Sequence, residues 1–561
     1  MKTYNVTEFK DIKEMLETRA ITHKNNIAFY QKDNNKVFQT ITYDQLKKDV
    51  DALGTALLDM GLKGKKIAII GKNSYEWAIS YLATICGVGI VVPLDKQLAD
   101  NEIKNCVQRV DLDTIIYAKD FEDRLKNMDN EVNIKNYISM DDGELTISNL
   151  IVKGKKLIAE GNNEFINSKI NNEELASLLF TSGTTSASKI VMLSHKNMMS
   201  NVKMGQMMVK VDETDILFSV LPLSHTLECT CVLLYPLASG AAIAYGDNIL
   251  NLSKDIKEIK PTAMMIVPRL AEVFYEKIIA GIEKQNKVKK VNIAIKATNI
   301  LGKYGLSLKR KVFKEIHEQF GGNLKLLMMG GAPVNPKISK YFREIGIKAL
   351  QGYGLTECAP LVTLNSDTLF ADDSAGLAVP GSDVIIINPD ESGIGEIAVK
   401  GPQVMLGYYG DEKATSNVIK DGYLHTGDLG KFDKKGFLRI SGRSKNVIVT
   451  SNGKNIFPEE LEALINENTM IKESIVYESK NSNNRGLLTA EVVVADEIKQ
   501  RMDEHPEAKE EIRKILLNYL SEVNKKLSEY KQIHDLKIRL TDFEKTSTLK
   551  IKRFVPQSQD N

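Results

Sequence analysis

The chain has 561 residues, too many for one hydrophobic core, so two or more domains are expected. A hydrophobic fraction of 43% and a charged fraction of 26% are those of an ordinary globular protein, and a net charge of +2 argues against a nucleic acid or other polyanion as partner. Five cysteines, an odd number with no Cys-x-x-Cys pair, fit reduced thiols in a reducing compartment such as the cytoplasm.

The opening MKTYNVTEFKDIKEM lacks the apolar core of a signal peptide. The most apolar stretches are 81–94 and 229–245. The first is too short to span a bilayer, and Pro236 and Gly240 interrupt the second, so both are expected in the core. Thr42-x-x-Gln45 reads as a capping box. Leu46, Val50, Leu53 and Leu57 follow at helical spacing, with Gly61 as the stop. A strand is expected at KIAIIG from Lys66, a helix from about Ser74 that carries Trp77 as a packing residue, and a strand at IVVPL from Ile90. Helices alternating with β-branched strands predict an α/β sheet of parallel character. Residues 141–172 are polar and weakly periodic, and a loop region is expected there.

Residues 178–195, LLFTSGTTSASKIVMLSH, carry the strongest chemical signal. A buried strand enters, a hydroxyl-rich turn with Gly183 follows, and Lys189 leads into a second apolar stretch. Backbone N–H groups, hydroxyls and a lysine are what phosphate oxygens need. It is not a Walker loop, because Ser188 and Ile190 stand where that pattern has Gly and Ser/Thr. Further on, LPLSHT sets His225 between apolar runs, as either a hydrogen-bonded core residue or a catalytic one. Residues 284–314 hold ten Lys/Arg and no acid, either a solvated helix face or a surface that meets anionic lipid.

LKLLMMGGAPV and KALQGYGLTE each read as a strand that runs into a glycine turn, and ligands sit at such strand ends in open parallel sheets. GYLHTGD places Asp428 after a tight turn, as a turn cap or as a partner for ribose hydroxyls. A linker is expected at SGRSK, after the strand-like FLRI. The smaller domain beyond it has its longest helix from near Pro506, with Ile512, Leu516, Tyr519, Leu520, Val523 and Leu527 as the buried stripe. FEKTSTLKIKRF closes the chain as a basic tail on a polar turn.

TSGTT…K, LPLSH, GGAP, GYGLTE, TGD, GRSK, NGKNIFPEELE and KTSTLKIKR together, in this order, resemble the adenylate-forming superfamily of acyl-CoA synthetases, luciferases and amino-acid adenylation domains. LPLSHT, GGAP and KTSTLKIKR are most similar to long-chain fatty acyl-CoA synthetases. The resemblance implies a large, multi-layered α/β N-terminal domain over 1–441, a hinge at 442–446 and a small, mobile α+β C-terminal domain over 447–561. It implies ATP, Mg²⁺ and CoA, with acyl-AMP formed first and then passed to a thiol. Thr181, Ser182, Gly183, Thr184, Thr185 and Lys189 would hold the β- and γ-phosphates. Gly331, Ala332 and Tyr353 would frame adenine, and Thr356 would touch the α-phosphate. Glu357, with Thr184, would bind Mg²⁺. Asp428 and Arg443 would fix ribose, and Lys550, not Lys552, would bridge the carboxylate and the α-phosphate. Lys445 would be the hinge, Gly453 would line the pantetheine tunnel, and His225 would lie beside the acyl carboxylate.

Three departures fall in the phosphate turn, where Ser186, Ser188 and Ile190 replace Gly, Pro and Gly of the usual motif; no Trp follows His225 to gate the acyl chain. The same motifs fit an acyl-carrier-protein ligase, a medium-chain or aryl acid ligase, or a relative that binds nucleotide or acyl chain without turnover. Fatty acid and CoA are the expected substrates. An acyl-carrier protein and a membrane surface are further candidate partners.

Overall fold

A computed structural model describes residues 3–33, 35–128, 132–181, 188–247, 249–449, 454–480, 486–546 and 551–553. The chain forms two compact units. The first comprises Met1–Gly183, Ala187–Asp383 and Val399–Gly422, and the second is built mainly from Val384–Ala398 and Tyr423–Asn561. The fold is mixed α/β, and two large sheets dominate the first unit.

The nine-stranded sheet runs in the spatial order Leu377–Ala378, Leu361–Leu364, Lys348–Gly354, Leu326–Met329, Ala263–Ile266, Ile216–Ser219, Ala242–Tyr245, Ile27–Lys32 and Phe38–Thr42. Its six central strands pair in parallel and only the edges are antiparallel. The seven-stranded sheet runs Gly407–Tyr408, Ile190–Ser194, Leu175–Phe180, Ile90–Leu94, Lys66–Ile70, Thr114–Tyr117 and Asn136–Ser139. Parallel strands covered on both faces read as unbroken apolar runs, which is why KIAII and IVVPL are legible in the sequence at their observed boundaries. Both long apolar stretches are core: helix Tyr75–Ala83 and strand Ile90–Leu94 share the first, and strand Ala242–Tyr245 ends the second. Trp77 is buried and stacks on Tyr81. Among the described residues no helix is long and apolar enough to cross a membrane.

Two local expectations change. Helix Tyr43–Asp59 is capped by the Thr42 hydroxyl, which accepts from Gln45 N, but the capping box is only half formed: the Gln45 amide donates to Asp49 Oδ1 at 2.8 Å. Within 141–172, helix Ile147–Ala159 replaces much of the expected loop. Ile147, Leu150, Ile151, Leu157 and Ile158 stand at helical spacing, with Ile147, Leu150 and Gly154 buried, so the helical period is present within a stretch whose polar composition reads as loop. A Cβ on Gly154 would lie 1.8 Å from Ala52 O, so glycine lets this helix pack directly on the backbone of helix Tyr43–Asp59.

In the second unit Tyr423–Phe432 pairs antiparallel with Leu438–Arg443. A separate three-stranded sheet, Ile471–Lys480, Gly486–Val494 and Asp535–Arg539, carries helices Pro458–Ile465 and Ala508–Asn524. Ile512, Leu516, Leu520 and Val523 are buried as the helical spacing predicts. Tyr519 is half-buried and donates its hydroxyl to Leu464 O. Leu527 lies past the helix end, packed on the same core.

Candidate active site

The expected phosphate turn leaves strand Leu175–Phe180 and returns as strand Ile190–Ser194, antiparallel to it. Ser182, Gly183, Thr184, Thr185 and Ser186 lie outside the described residues, but both ends of the turn are placed. Thr181 donates its backbone N–H and its hydroxyl to Lys189 O, at 2.9 and 3.2 Å. Ser188 is held from outside the motif: Arg109 Nη1 donates to its carbonyl at 2.6 Å and to its hydroxyl oxygen at 3.1 Å. A serine in place of the usual proline therefore acquires a guanidinium anchor.

The ammonium of Lys189 lies 4.2 Å from the ring centroid of Tyr408, within cation–π range. The Tyr408 hydroxyl donates to Glu357 Oε1 at 2.9 Å. Lysine, aromatic ring and carboxylate thus form one connected row. Glu357 is half-buried, and Oε1 carries its one side-chain bond to a described residue. A magnesium ion shared with phosphates takes only one or two protein carboxylates, so this donor fits that ion.

Glu357 sits on the short turn Thr356–Cys358, just past strand Lys348–Gly354. The turn is fixed on several sides. Met405 N donates to Glu357 O, Asn201 Nδ2 donates to Cys358 O and Leu361 O, and Thr230 Oγ1 donates to Ala359 O. A Cβ on Gly354 would meet Pro360 O at 1.9 Å, so glycine is required for the chain to fold back here. Tyr353 and Thr356 are half-exposed, and Gly331 and Ala332 are exposed just past strand Leu326–Met329. The strands that carry these two groups are parallel neighbours, so both turns leave the same end of one sheet. The Thr181–Lys189 turn belongs to the other sheet.

LPLSHT forms a wall beside them. Leu227 lies against Gly330, where a Cβ would be 3.5 Å from Leu227 Cδ1. Asn73 pins the stretch by donating to Ser219 Oγ and Leu221 O and accepting from Leu223 N. His225 is half-buried and its Nε2 lies 3.1 Å from Asp95 Oδ2, so it is hydrogen-bonded without being sealed in the core. Glu228 is fully buried. Its Oε1 accepts from Ser219 Oγ and Val220 N at 2.6 and 2.9 Å, while Oε2 has no partner among the described residues. Burial pushes its carboxyl up to about 8, so it is largely protonated at neutral pH. Arg109, Asp95, Tyr408 and Glu228 escape the sequence reading because their partners are distant in the chain or, for Glu228, because its neighbours look like plain core.

Asp428 and Arg443 lie in the second unit and are brought together there. Asp428 is not a residue after a tight turn, as the sequence reading has it. It stands inside the ten-residue strand Tyr423–Phe432, in register with Arg443. Arg443 Nε donates to Asp428 Oδ1 at 2.8 Å, with the aspartate buried and the arginine exposed. Thr426 Oγ1 accepts from Asp428 N and donates to Ile397 O, which fixes the carboxylate's backbone. Lys445 is exposed on the short turn Ser444–Asn446. The Asn446 amide donates to Glu459 Oε1 at 2.6 Å. Gly453 and Lys550 lie outside the described residues.

Known proteins share this architecture. The anthranilate CoA ligase AuaEII, solved with anthranoyl-AMP, matches with a TM-score of 0.77 over 99% of this chain and 96% of its own, at 17% identity. ATP-bound MatB from Rhodopseudomonas palustris matches with a TM-score of 0.72 at 20% identity, covering 97% of both chains. At such identities the likeness is one of fold. In sequence, long-chain-fatty-acid–CoA ligase 1 of Cavia porcellus is 30% identical over 464 residues, 76% of this chain and 66% of the relative. Long-chain-fatty-acid–CoA ligase 5 of Rattus norvegicus is 28% identical over 509 residues, 84% of this chain and 74% of the relative. The chain thus spans just under two thirds of the length of several curated relatives it matches. The family model for AMP-binding enzymes matches residues 16–409, and that for their C-terminal domain matches 445–555. With more than half of the chain inside the first model, the chain belongs to the AMP-binding enzyme family.

Proposed function

We propose that the chain is an ATP-dependent acid–CoA ligase whose substrate is a long-chain fatty acid. A carboxylate oxygen attacks the α-phosphorus of ATP and the bond to the β-phosphate bridging oxygen breaks, giving acyl-AMP and pyrophosphate. The CoA sulfur then attacks the acyl carbon, its proton is lost, and AMP leaves. The first step brings two anions together and needs fixed positive charge; the second needs water kept from a reactive anhydride.

The row Lys189–Tyr408–Glu357 at the phosphate turn carries this reading. Lys189, with Thr181, Ser182, Gly183, Thr184 and Thr185, holds the β- and γ-phosphates. Glu357, with Thr184, holds magnesium, which when bound neutralises phosphate charge. Gly331, Ala332 and Tyr353 frame adenine, with the Tyr353 ring stacking on it, and Thr356 touches the α-phosphate. Asp428 and Arg443 hold the ribose, the buried carboxylate accepting from its hydroxyls. Lys550 neutralises the carboxylate and α-phosphate together. His225, oriented by Asp95, lies beside the acyl carboxylate. Residues 442–446 act as a hinge between a 1–441 domain and a 447–561 domain, turning about Lys445 so that Gly453 lines the thiol path in the second step. The five free thiols support a cytoplasmic site of action.

The curated relatives support a long-chain acid, and the fold likeness to an anthranilate ligase supports an aryl acid as the second reading. Pyrophosphate release with acids from acetate to palmitate and with benzoates tests both, followed by CoA or a phosphopantetheinylated carrier protein as acceptor. The highest kcat/KM is expected with long-chain acids and with CoA. Preference for a benzoate overturns the first reading in favour of the second. Binding of ATP without turnover of any acid overturns both.

A further inference from the structure

Helix Val288–Lys303 has one face in the core, where Ile295 and Thr298 are buried. Its other face carries Lys289, Ile293, Lys296, Ile300 and Lys303, spaced 4, 3, 4 and 3 residues apart and all exposed. That spacing sets them in one stripe about 20 Å long. Ile293 is 67% exposed and Ile300 57% exposed, and the chain continues with Tyr304, Leu306 and Val312 at 80%, 55% and 48%. Single exposed apolar residues are ordinary; a run of them on one segment, set among cations, is not.

The charge is equally one-sided. Residues 284–314 hold nine lysines, one arginine and no acid. Lys287 and Lys314 pair with Glu315 and Glu318, at 2.8 and 3.6 Å, but Lys289, Lys290, Lys296, Lys303 and Lys311 have no ion pair among the described residues. Near the end of the segment, Arg310 and Lys314 join Lys257, Lys260, His317 and one acid, Glu318, around a cleft of about 430 Å³. His317 is 3% exposed. Its Nε2 meets Ile345 O at 2.8 Å, and its Nδ1 is buried without a partner among the described residues.

We propose that this surface docks the protein on an anionic phospholipid bilayer, with Ile293 and Ile300 in the interfacial layer, the lysines on the headgroups and the cleft taking a headgroup phosphate. Lysine suits a fluid anionic surface: it is a point charge on a flexible stem whose methylenes lie along apolar material while the ammonium reaches the phosphates. A nucleic acid backbone would use the cations and leave the isoleucines in water. The inference is independent of which acid the enzyme activates.

Co-sedimentation of the full chain with phosphatidylcholine vesicles, with and without phosphatidylglycerol, tests it. Binding is expected only with the anionic lipid, falling steeply as salt rises from about 0.1 to 0.5 M. The triple variant Lys289→Gln/Lys296→Gln/Lys303→Gln should bind about a hundredfold more weakly. Ile293→Asp/Ile300→Asp should lose about tenfold or more. All five positions are exposed, so thermal unfolding should stay unchanged and confirm intact folding. Lys257→Gln/Lys260→Gln should weaken vesicle binding several-fold. Equal binding to neutral and anionic vesicles overturns the proposal. So does vesicle binding abolished by millimolar inorganic phosphate, which makes the cleft a site for a soluble phosphate. Binding to a DNA oligonucleotide as tight as to vesicles and indifferent to Ile293→Asp/Ile300→Asp overturns it in favour of a polyanion partner.

Discussion

Two carboxylates in the first unit, Glu228 at the start of the helical segment 226–239 and Glu357 on the short turn Thr356–Cys358, are given contrasting surroundings by the fold. Glu228 is sealed among Ser219, Val220 and apolar side chains and is held largely neutral. Glu357 is half-exposed, with one tyrosine hydroxyl on Oε1. A buried acid with few donors surrenders its charge, and Glu228 is such an acid; Glu357 differs in being within reach of water and of a ligand. Glu228 therefore serves as scaffold for the LPLSHT wall, and Glu357 is the group available for chemistry.

The largest effect should come from erasing Glu357, the half-exposed member of the pair. Glu357→Ala should slow pyrophosphate release by about 10²–10³, with more magnesium needed for half-maximal rate and thermal unfolding little changed. Near-normal rates at ordinary magnesium would end its assignment. Lys550→Ala should lose about as much in the same step, because its proposed role is also to offset phosphate charge, while thioester formation from supplied acyl-AMP survives. A loss that follows Lys552→Ala instead would move the role to that residue.

A smaller, more selective effect is expected at the proposed hinge. Proline fixes φ near −65°, so Lys445→Pro should trap one state of the turn Ser444–Asn446. Pyrophosphate release should persist within a few-fold, and thioester formation should fall at least tenfold even with excess CoA. Loss of both steps together means misfolding; retention of both places the hinge elsewhere.

Glu228 should answer in stability. Its folded-state value of about 8 lies above the ordinary 4.5, so between those values the folded chain keeps a proton that the unfolded chain has shed. The stability from this group is full below about pH 4.5, declines as pH rises, and is lost above about pH 8. Glu228→Gln cannot ionise and keeps an acceptor for Ser219 and Val220. It should flatten the fall of Tm with pH, and its gain on the wild type should grow from about 1 kcal/mol near pH 5 to roughly 5 kcal/mol above about pH 8. Parallel wild-type and variant curves would mean that Glu228 is already ionised in the fold.

The sequence discloses what is local or periodic. Strands Lys66–Ile70 and Ile90–Leu94 and the stripe of Ala508–Asn524 rest on neighbours a few residues away, and they are legible. Helix Ile147–Ala159 is less legible although Ile147, Leu150, Ile151, Leu157 and Ile158 are spaced as a helix, because the polar residues around it lower the average apolarity of 141–172 and Gly154 interrupts the stripe where it packs on a backbone carbonyl. Asp428 looks like a turn residue because glycines flank the motif, but the partner strand sets its place. The motif residues announce a nucleotide site, while the groups that hold them are 79 residues away at Arg109–Ser188 and 130 at Asp95–His225. Only folding brings such pairs together, so an isolated sequence carries no spacing by which to find them.

The smallest effect separates the two halves of Tyr408. Its ring faces the Lys189 ammonium and its hydroxyl donates to Glu357, so it touches both charges. Tyr408→Phe keeps the ring and removes the donor. A hydrogen bond to a charged group is worth about 1.5–3 kcal/mol in a dry site, but water reaches the half-exposed Glu357 and replaces part of it. The expected cost is therefore about threefold to tenfold in kcat/KM for ATP, appearing chiefly as a higher magnesium requirement, with KM for the acid unchanged. Tyr408→Leu removes the ring as well and frees Lys189, adding roughly another 0.5–1 kcal/mol. If both variants lose the same amount, the ring contributes nothing to holding Lys189 and the row reduces to a tyrosine–glutamate pair. If Tyr408→Phe loses nothing while Tyr408→Leu does, Glu357 needs no orienting bond, and its difference from Glu228 is exposure alone.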